Sequence, residues 1–308
     1  SLLGAERLAG LVAQALSGFN NCRNTGLEIT VECNPSNGGA PDSSFDFEKL
    51  AKAGVNRISL GLQSAVDKER AALGRRGVAA DTARAVERAK AAGITNISLD
   101  MMIGVPGQTP NSLRQSIDFC AAAGITHVSA YMLKIEDGTP FAAQKAKLNL
   151  PDEDAVCDFY LQAVEALEQA GFMQYEISNF ARPGFESRHN LKYWRCEEYL
   201  GIGPAAHSFM DGKRFYYARD LNSFIAGGEP APDGEGGGFD EYAMLRLRLN
   251  EGLTERETLE RYGFGIPKTM RERAKIFEEE GLVLSDVKGI NFTPRGFLLS
   301  NIDRKSVV

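Results

Sequence analysis

One phrase recurs along this chain. Ala53-Gly54-Val55-Asn56-Arg57-Ile58-Ser59 is repeated as Ala92-Gly93-Ile94-Thr95-Asn96-Ile97-Ser98 and as Ala123-Gly124-Ile125-Thr126-His127-Val128-Ser129. A looser copy runs from Ala170-Gly171 to Ile177-Ser178. Each copy follows a stretch rich in helix formers, such as Asp81 to Ala92. The glycine suits the left-handed position that ends a helix, and the β-branched residues behind it start a strand. Helix, glycine cap, short loop and strand in repetition predict a parallel α/β sheet. Strands are expected near 28–33, 57–62, 97–103, 128–134 and 174–180. Parallel strands covered on both faces read as near-continuous apolar runs, and Ile97 to Val105 is taken for one. Polar residues interrupt toward the C-terminal strand ends: Glu32, Gln63, Asp100 and Lys134. In barrels and open α/β sheets that end carries the chemistry. One such residue is satisfied by bonding a loop, whereas four at equivalent places suggest a site.

The rest of the sequence bounds the class. With 308 residues, 43% hydrophobic and 25% charged, the chain has the composition of an ordered globular protein. A net charge of -6 gives no general attraction to nucleic acid or anionic lipid. No apolar run approaches the roughly 20 residues of a membrane helix. Cys22, Cys33, Cys120, Cys157 and Cys196 are scattered, without metal-knuckle spacing. They read as free thiols in a reducing, cytoplasmic compartment. The first residues read as a helix from Ser1 to about Phe19, with Leu2, Leu3, Leu8, Leu11, Val12 and Leu16 on one face. With neither a cap nor a signal peptide ahead of it, that start is expected to be the start of a fragment.

Past Ala181 the character changes. His189-Asn190-Leu191-Lys192-Tyr193-Trp194 holds the only tryptophan, and Gly201-Ile202-Gly203-Pro204-Ala205-Ala206-His207 follows. Such a cluster suits a flat aromatic ligand or a metal-bearing ring, and equally a corner where aromatics bury area and histidine bonds backbone. Residues 227–238, rich in Gly and Pro, read as a flexible linker. Helices at 240–249 and 267–280, then a hairpin turning at Lys288-Gly289, suggest a winged-helix-like module. From Phe239 onward twelve Lys and Arg balance twelve Asp and Glu, so no basic face for DNA is expected. The domains expected are 1–181, a connecting segment 182–238, and 239–308.

Taken together, several stretches resemble the radical SAM coproporphyrinogen III oxidase-like family, and within it the HemW haem-chaperone branch. They are Glu28 to Pro35, Gly54 to Ser64, Leu73-Gly74-Arg75, Leu99 to Thr109, His189 to Trp194 and Gly201 to His207. The resemblance implies a partial (β/α)6 radical SAM barrel lacking its first strands, plus a small C-terminal winged-helix-like α+β domain. It implies S-adenosylmethionine (SAM) around Glu32, Gln63, Arg75 and Asp100, with Lys134 and His207 lining the same pocket, and haem at His189. The family's Cys-x-x-x-Cys-x-x-Cys loop, which holds a 4Fe-4S cluster, has no match here, nor does its Gly-Gly-Gly-Thr-Pro segment. The cluster is therefore expected only in a full-length parent. This chain is expected to be redox-inactive, with an exposed sheet edge open to self-association. The implied function is binding haem and passing it to an acceptor protein. The alternatives are oxygen-independent oxidative decarboxylation of coproporphyrinogen III, and a barrel enzyme using Gly104 and Pro106-Gly107 to bind a phosphorylated metabolite.

Overall fold

The computed structural model describes residues 3–18, 26–35, 45–139 and 141–299; Leu2 and Cys22 lie outside them. The chain divides into two compact units, the first made of residues 1–174 and 178–186 and the second of residues 175–177 and 187–308.

The first unit runs α1 (Gly4–Gly18), β1 (Thr30–Cys33), α2 (Phe47–Lys52), β2 (Arg57–Gln63), α3 (Asp67–Ala72) and α4 (Ala79–Ala91). It continues with β3 (Asn96–Ile103), α5 (Pro110–Ala122), β4 (His127–Met132), α6 (Glu153–Gln169), β5 (Met173–Glu176, whose last two residues are counted with the second unit) and β6 (Asn179–Ala181). All four repeat glycines take the left-handed conformation, with φ of 100° at Gly54, 86° at Gly93, 59° at Gly124 and 85° at Gly171. There a side chain would strain the backbone. The strands form one sheet in the order β1-β2-β3-β4-β6-β5, with β1 at an edge. The first three pairings are parallel.

Three expectations need correction here. The strand foreseen at 174–180 is two short strands, because the chain turns at Ile177-Ser178, and β6 runs antiparallel to β4. The sheet is therefore mixed. The β3 run is not apolar on both faces. Ile97, Leu99, Met101 and Ile103 are fully buried, whereas Asn96, Ser98, Asp100 and Met102 alternate with them. Arg57 and Ser59 on β2, and His127 and Ser129 on β4, share that phase. Strand alternation thus gives the sheet one apolar face and one face carrying polar groups. In α1 the inner stripe is Ala5, Leu8, Val12 and Leu16, while Leu3 and Leu11 are exposed.

The second unit contains α7 (Arg188–Trp194), β7 (His207–Met210), β8 (Lys213–Tyr216), α8 (Leu221–Ile225), β9 (Ala231–Glu235) and α9 (Phe239–Arg246). Then come β10 (Leu253–Thr254), α10 (Glu255–Tyr262), α11 (Lys268–Glu279), β11 (Val283–Ser285), β12 (Gly289–Phe292) and α12 (Pro294–Leu299). One core joins Cys196 and Phe209 to Tyr242, Leu253, Met270 and Ile290. The hairpin at Lys288-Gly289 forms, and β10 extends it to a three-stranded sheet. The supposed linker at 227–238 instead supplies β9, the third strand beside β8. Backbone hydrogen bonds need no apolar side chain, and the glycines let the chain lie on an aromatic ring: a Cβ at Gly237 would meet Phe209 at 2.9 Å.

Candidate functional site

The site begins at the C-terminal ends of β1, β2 and β3. Between Gly61 and Gln63 the register against β3 shifts, so that Gly61 pairs with Asp100 and Gln63 with Met101. This bulge puts Gln63 at φ 68°, a left-handed strain that a non-glycine residue keeps only when its surroundings enforce it. Gly61 leaves room for two side chains: a Cβ there would lie 2.9 Å from Asn34 Oδ1 and 3.0 Å from Gln63 Nε2. Arg75 closes the group, its Nη1 donating to Asn34 Oδ1 at 3.0 Å. Gly74, at φ 75°, ends α3 and turns the backbone so that Arg75 follows in place. Asn34, Gln63 and Arg75 therefore converge over a glycine.

Asp100 lies beside them on the polar face. Ser59 donates to its Oδ1 at 3.0 Å, and Ser129, its partner in register on β4, also bonds the carboxylate. Burial is the main effect and raises its pKa above the ordinary carboxylate value, aided by the Glu32 charge. The two serines and Arg57 oppose that rise. Glu32 itself is exposed on β1. Below this level Ser98 Oγ is 2.8 Å from His127 Nδ1, and burial holds His127 well below its usual pKa, hence neutral.

The structure brings Gln63 and Arg75 together and sets Asp100 beside Gly61. Lys134 follows β4 and pairs with Glu136 at 2.8 Å, with its side chain 81% exposed. His189 and His207 both lie in the second unit. His189 Nε2 is 3.0 Å from the Tyr193 hydroxyl, one helical turn on, and Tyr193 meets Tyr199 edge to face at 4.5 Å. Tyr199 and Phe209 exchange backbone hydrogen bonds, two residues from His207. His207 stacks on Tyr216 at 5.2 Å, its Nδ1 3.4 Å from Asp233 Oδ2 on β9. Trp194 carries the Arg248 guanidinium over its ring at 4.2 Å, and its indole N–H is buried with no partner among the described residues. The His189–Tyr193–Tyr199 rings and the His207–Tyr216 pair are thus joined through the Tyr199–Phe209 backbone bridge. Gly201 lets the backbone pass close to His207, since a Cβ there would come within 2.2 Å of the His207 carbonyl oxygen.

The sequence matches the Radical SAM superfamily over residues 4–120. It is 35% identical to the heme chaperone HemW of Bacillus subtilis, over 89% of this chain and 74% of that protein. It is also 35% identical to the heme chaperone HemW of Mycobacterium tuberculosis, over 98% of this chain and 76% of that protein. The chain belongs to the HemW family.

Its α/β fold is the radical SAM fold. The solved coproporphyrinogen III oxidase HemN of Escherichia coli, a radical SAM enzyme, superposes with a TM-score of 0.76 at 22% identity. That match spans 97% of this chain and 73% of the other. A radical SAM protein implies a cluster, and the cysteines described here do not fit one. Burial pushes the Cys33 and Cys120 thiols up to about 12, away from the thiolate a metal needs. Among the described residues no three His, Cys, Asp or Glu side chains are grouped to hold a metal. The polar corner, by contrast, offers donors and acceptors that suit SAM. Asn34, Ser59 and Ser129 belong to that corner and were not foreseen as site residues. The signal for the serines was present in their phase: Ser59 and Ser129 occur at the same step of the repeat, two residues past Arg57 and His127.

Proposed function

We propose that this HemW-family chain binds haem and hands it to an acceptor protein, with SAM held at the strand ends of its first unit. The observation that carries the haem reading is the His189–Tyr193–Tyr199 run on and behind α7. It pairs an imidazole with ring faces that can stack on a flat macrocycle. The chaperone names of the relatives support the cargo. For SAM, Arg75 would take the methionyl carboxylate in a two-pronged contact, and the Gln63 amide would bond a neighbouring polar group. Asp100 and Glu32 would accept from ribose hydroxyls or the ammonium. SAM supplies an adenosylated sulfonium, and no step through a cluster is derived. The C-terminal helices and hairpin, winged-helix-like in order, serve packing, since their charges balance. No helix among the described residues is long and apolar enough to cross a membrane. The cysteines described are free, which suits a cytoplasmic protein.

Haem titration followed by the Soret band tests the main reading. Saturable binding that weakens about tenfold or more in His189→Ala is expected, the loss of one coordinating contact being worth at least ~1.4 kcal/mol. Unchanged affinity would remove His189 from the site, and no saturable binding by the wild type would remove haem from the function.

A further inference from the structure

Arg70 sits on α3 and is 2% exposed, between Gln63 and Arg75 in the chain. Its Nη1 donates to the Leu62 carbonyl, and its Nε donates to the Gly77 carbonyl at 3.1 Å. Its own carbonyl accepts from the Arg75 N–H at 3.0 Å. Leu62 immediately precedes strained Gln63, and Gly77 lies two residues beyond Arg75. Three peptide groups that fix the two ligand-facing side chains are therefore held by one residue.

We propose that Arg70 is the positioning residue of this site: its guanidinium fork locks the end of β2 to the loop before α4 and so aims Gln63 and Arg75 at the ligand. The assignment rests on the SAM reading above and extends it to a residue that touches no ligand.

The chemistry explains why an arginine stands here. A leucine or methionine would fill a buried place without desolvating a charge, and burial depresses the pKa of Arg70 accordingly. What arginine adds is direction, because its rigid fork reaches two carbonyls at once, whereas a lysine ammonium is a single point. The remaining bonds of the segment agree. Asp67 Oδ1 accepts from the Ala79 N–H at 2.8 Å, and Ser64 Oγ donates to buried Glu69 at 2.7 Å. Ser116 Oγ accepts from the Ala65 N–H at 3.0 Å. Besides burial, the Asp67 and Asp81 carboxylates favour the charged Arg70 guanidinium and the Arg75 charge opposes it.

The test is calorimetric titration of SAM into the wild type, Arg70→Met and Arg70→Lys, each also in an Arg75→Ala background. Arg70→Met is expected to weaken binding about tenfold or more, the cost of displaced positioning groups. Arg70→Lys should not restore it. In the Arg75→Ala background the Arg70 substitution should cost less than about twofold, because the two residues act in series. Undiminished affinity, rescue by lysine, or equal losses in both backgrounds would overturn the assignment. The guanidinium NMR signal of Arg75, recorded without ligand, decides the point should Arg70→Met misfold or the wild type not bind SAM. It should shift or broaden in Arg70→Lys, and an unchanged signal would refute the positioning role while leaving the SAM reading to its own titration.

Discussion

Gly61→Ala separates ligand binding from folding in this protein. The backbone at Gly61 needs no positive φ, so alanine is conformationally allowed and gains about 0.5–1 kcal/mol through the unfolded chain. Its new methyl would press on Asn34 Oδ1 at 2.9 Å and Gln63 Nε2 at 3.0 Å. Both are ends of flexible side chains, so they move aside at less than the ~1–3 kcal/mol of overpacking a rigid core. The two terms nearly cancel. The movement, however, breaks the Asn34–Arg75 hydrogen bond and removes the Gln63 amide from its place. One lost charged hydrogen bond to ligand is worth about 1.5–3 kcal/mol, or about tenfold to a hundredfold in affinity. Calorimetry with SAM and thermal melting, run on one preparation, provide the assay. The melting temperature should stay within about 2 °C, equivalent to roughly 1 kcal/mol for a protein of this size. Retained SAM affinity would refute the reasoning, as would a collapse in melting temperature.

Two further substitutions probe the units separately. Folded Asp100 holds its proton more tightly than the unfolded chain, whose ordinary value is 3.8. Stability contributed by that proton is full below 3.8 and is lost as pH rises through the raised folded value. Asp100→Asn should therefore flatten this part of the melting-temperature profile above pH 4, and an identical profile would refute the burial effect. In the second unit, Arg246 has a side chain 1% exposed and donates to the Gly252 carbonyl at 3.1 Å and to Glu257 at 2.8 Å. Because its carboxylate partners are partly solvated, Arg246→Met should lower the stability of that unit by about 2 kcal/mol in urea. A change below about 0.5 kcal/mol, the level of an ordinary surface substitution, would contradict the account.

The helix–glycine–strand grammar was legible because its cause is local: a left-handed glycine is required wherever these helices stop. Glu32, Gln63 and Asp100 stand out as polar residues at strand ends and Arg75 through family likeness alone, and the structure gathers Gln63, Arg75 and Asp100 around Gly61. The polar face of the sheet was missed because Met102 and the flanking apolar residues masked a period of two in Ile97 to Val105. Setting Arg57 and Ser59, Ser98 and Asp100, and His127 and Ser129 in one phase would have shown it. β9 escaped because Ala231 to Glu235 carries no hydrophobic pattern, and its pairing is written in backbone hydrogen bonds. Arg70 could not have been singled out, since its partners are carbonyl groups that a sequence does not display.

A crystal structure of the protein grown with SAM tests the central claim most directly. The account predicts the methionyl carboxylate within hydrogen-bonding distance of Arg75 and the rest of the molecule along the ends of β1 to β3, beside Gln63 and Asp100. SAM bound elsewhere, with the Asn34–Arg75 pair and the Gln63 amide untouched, would contradict it.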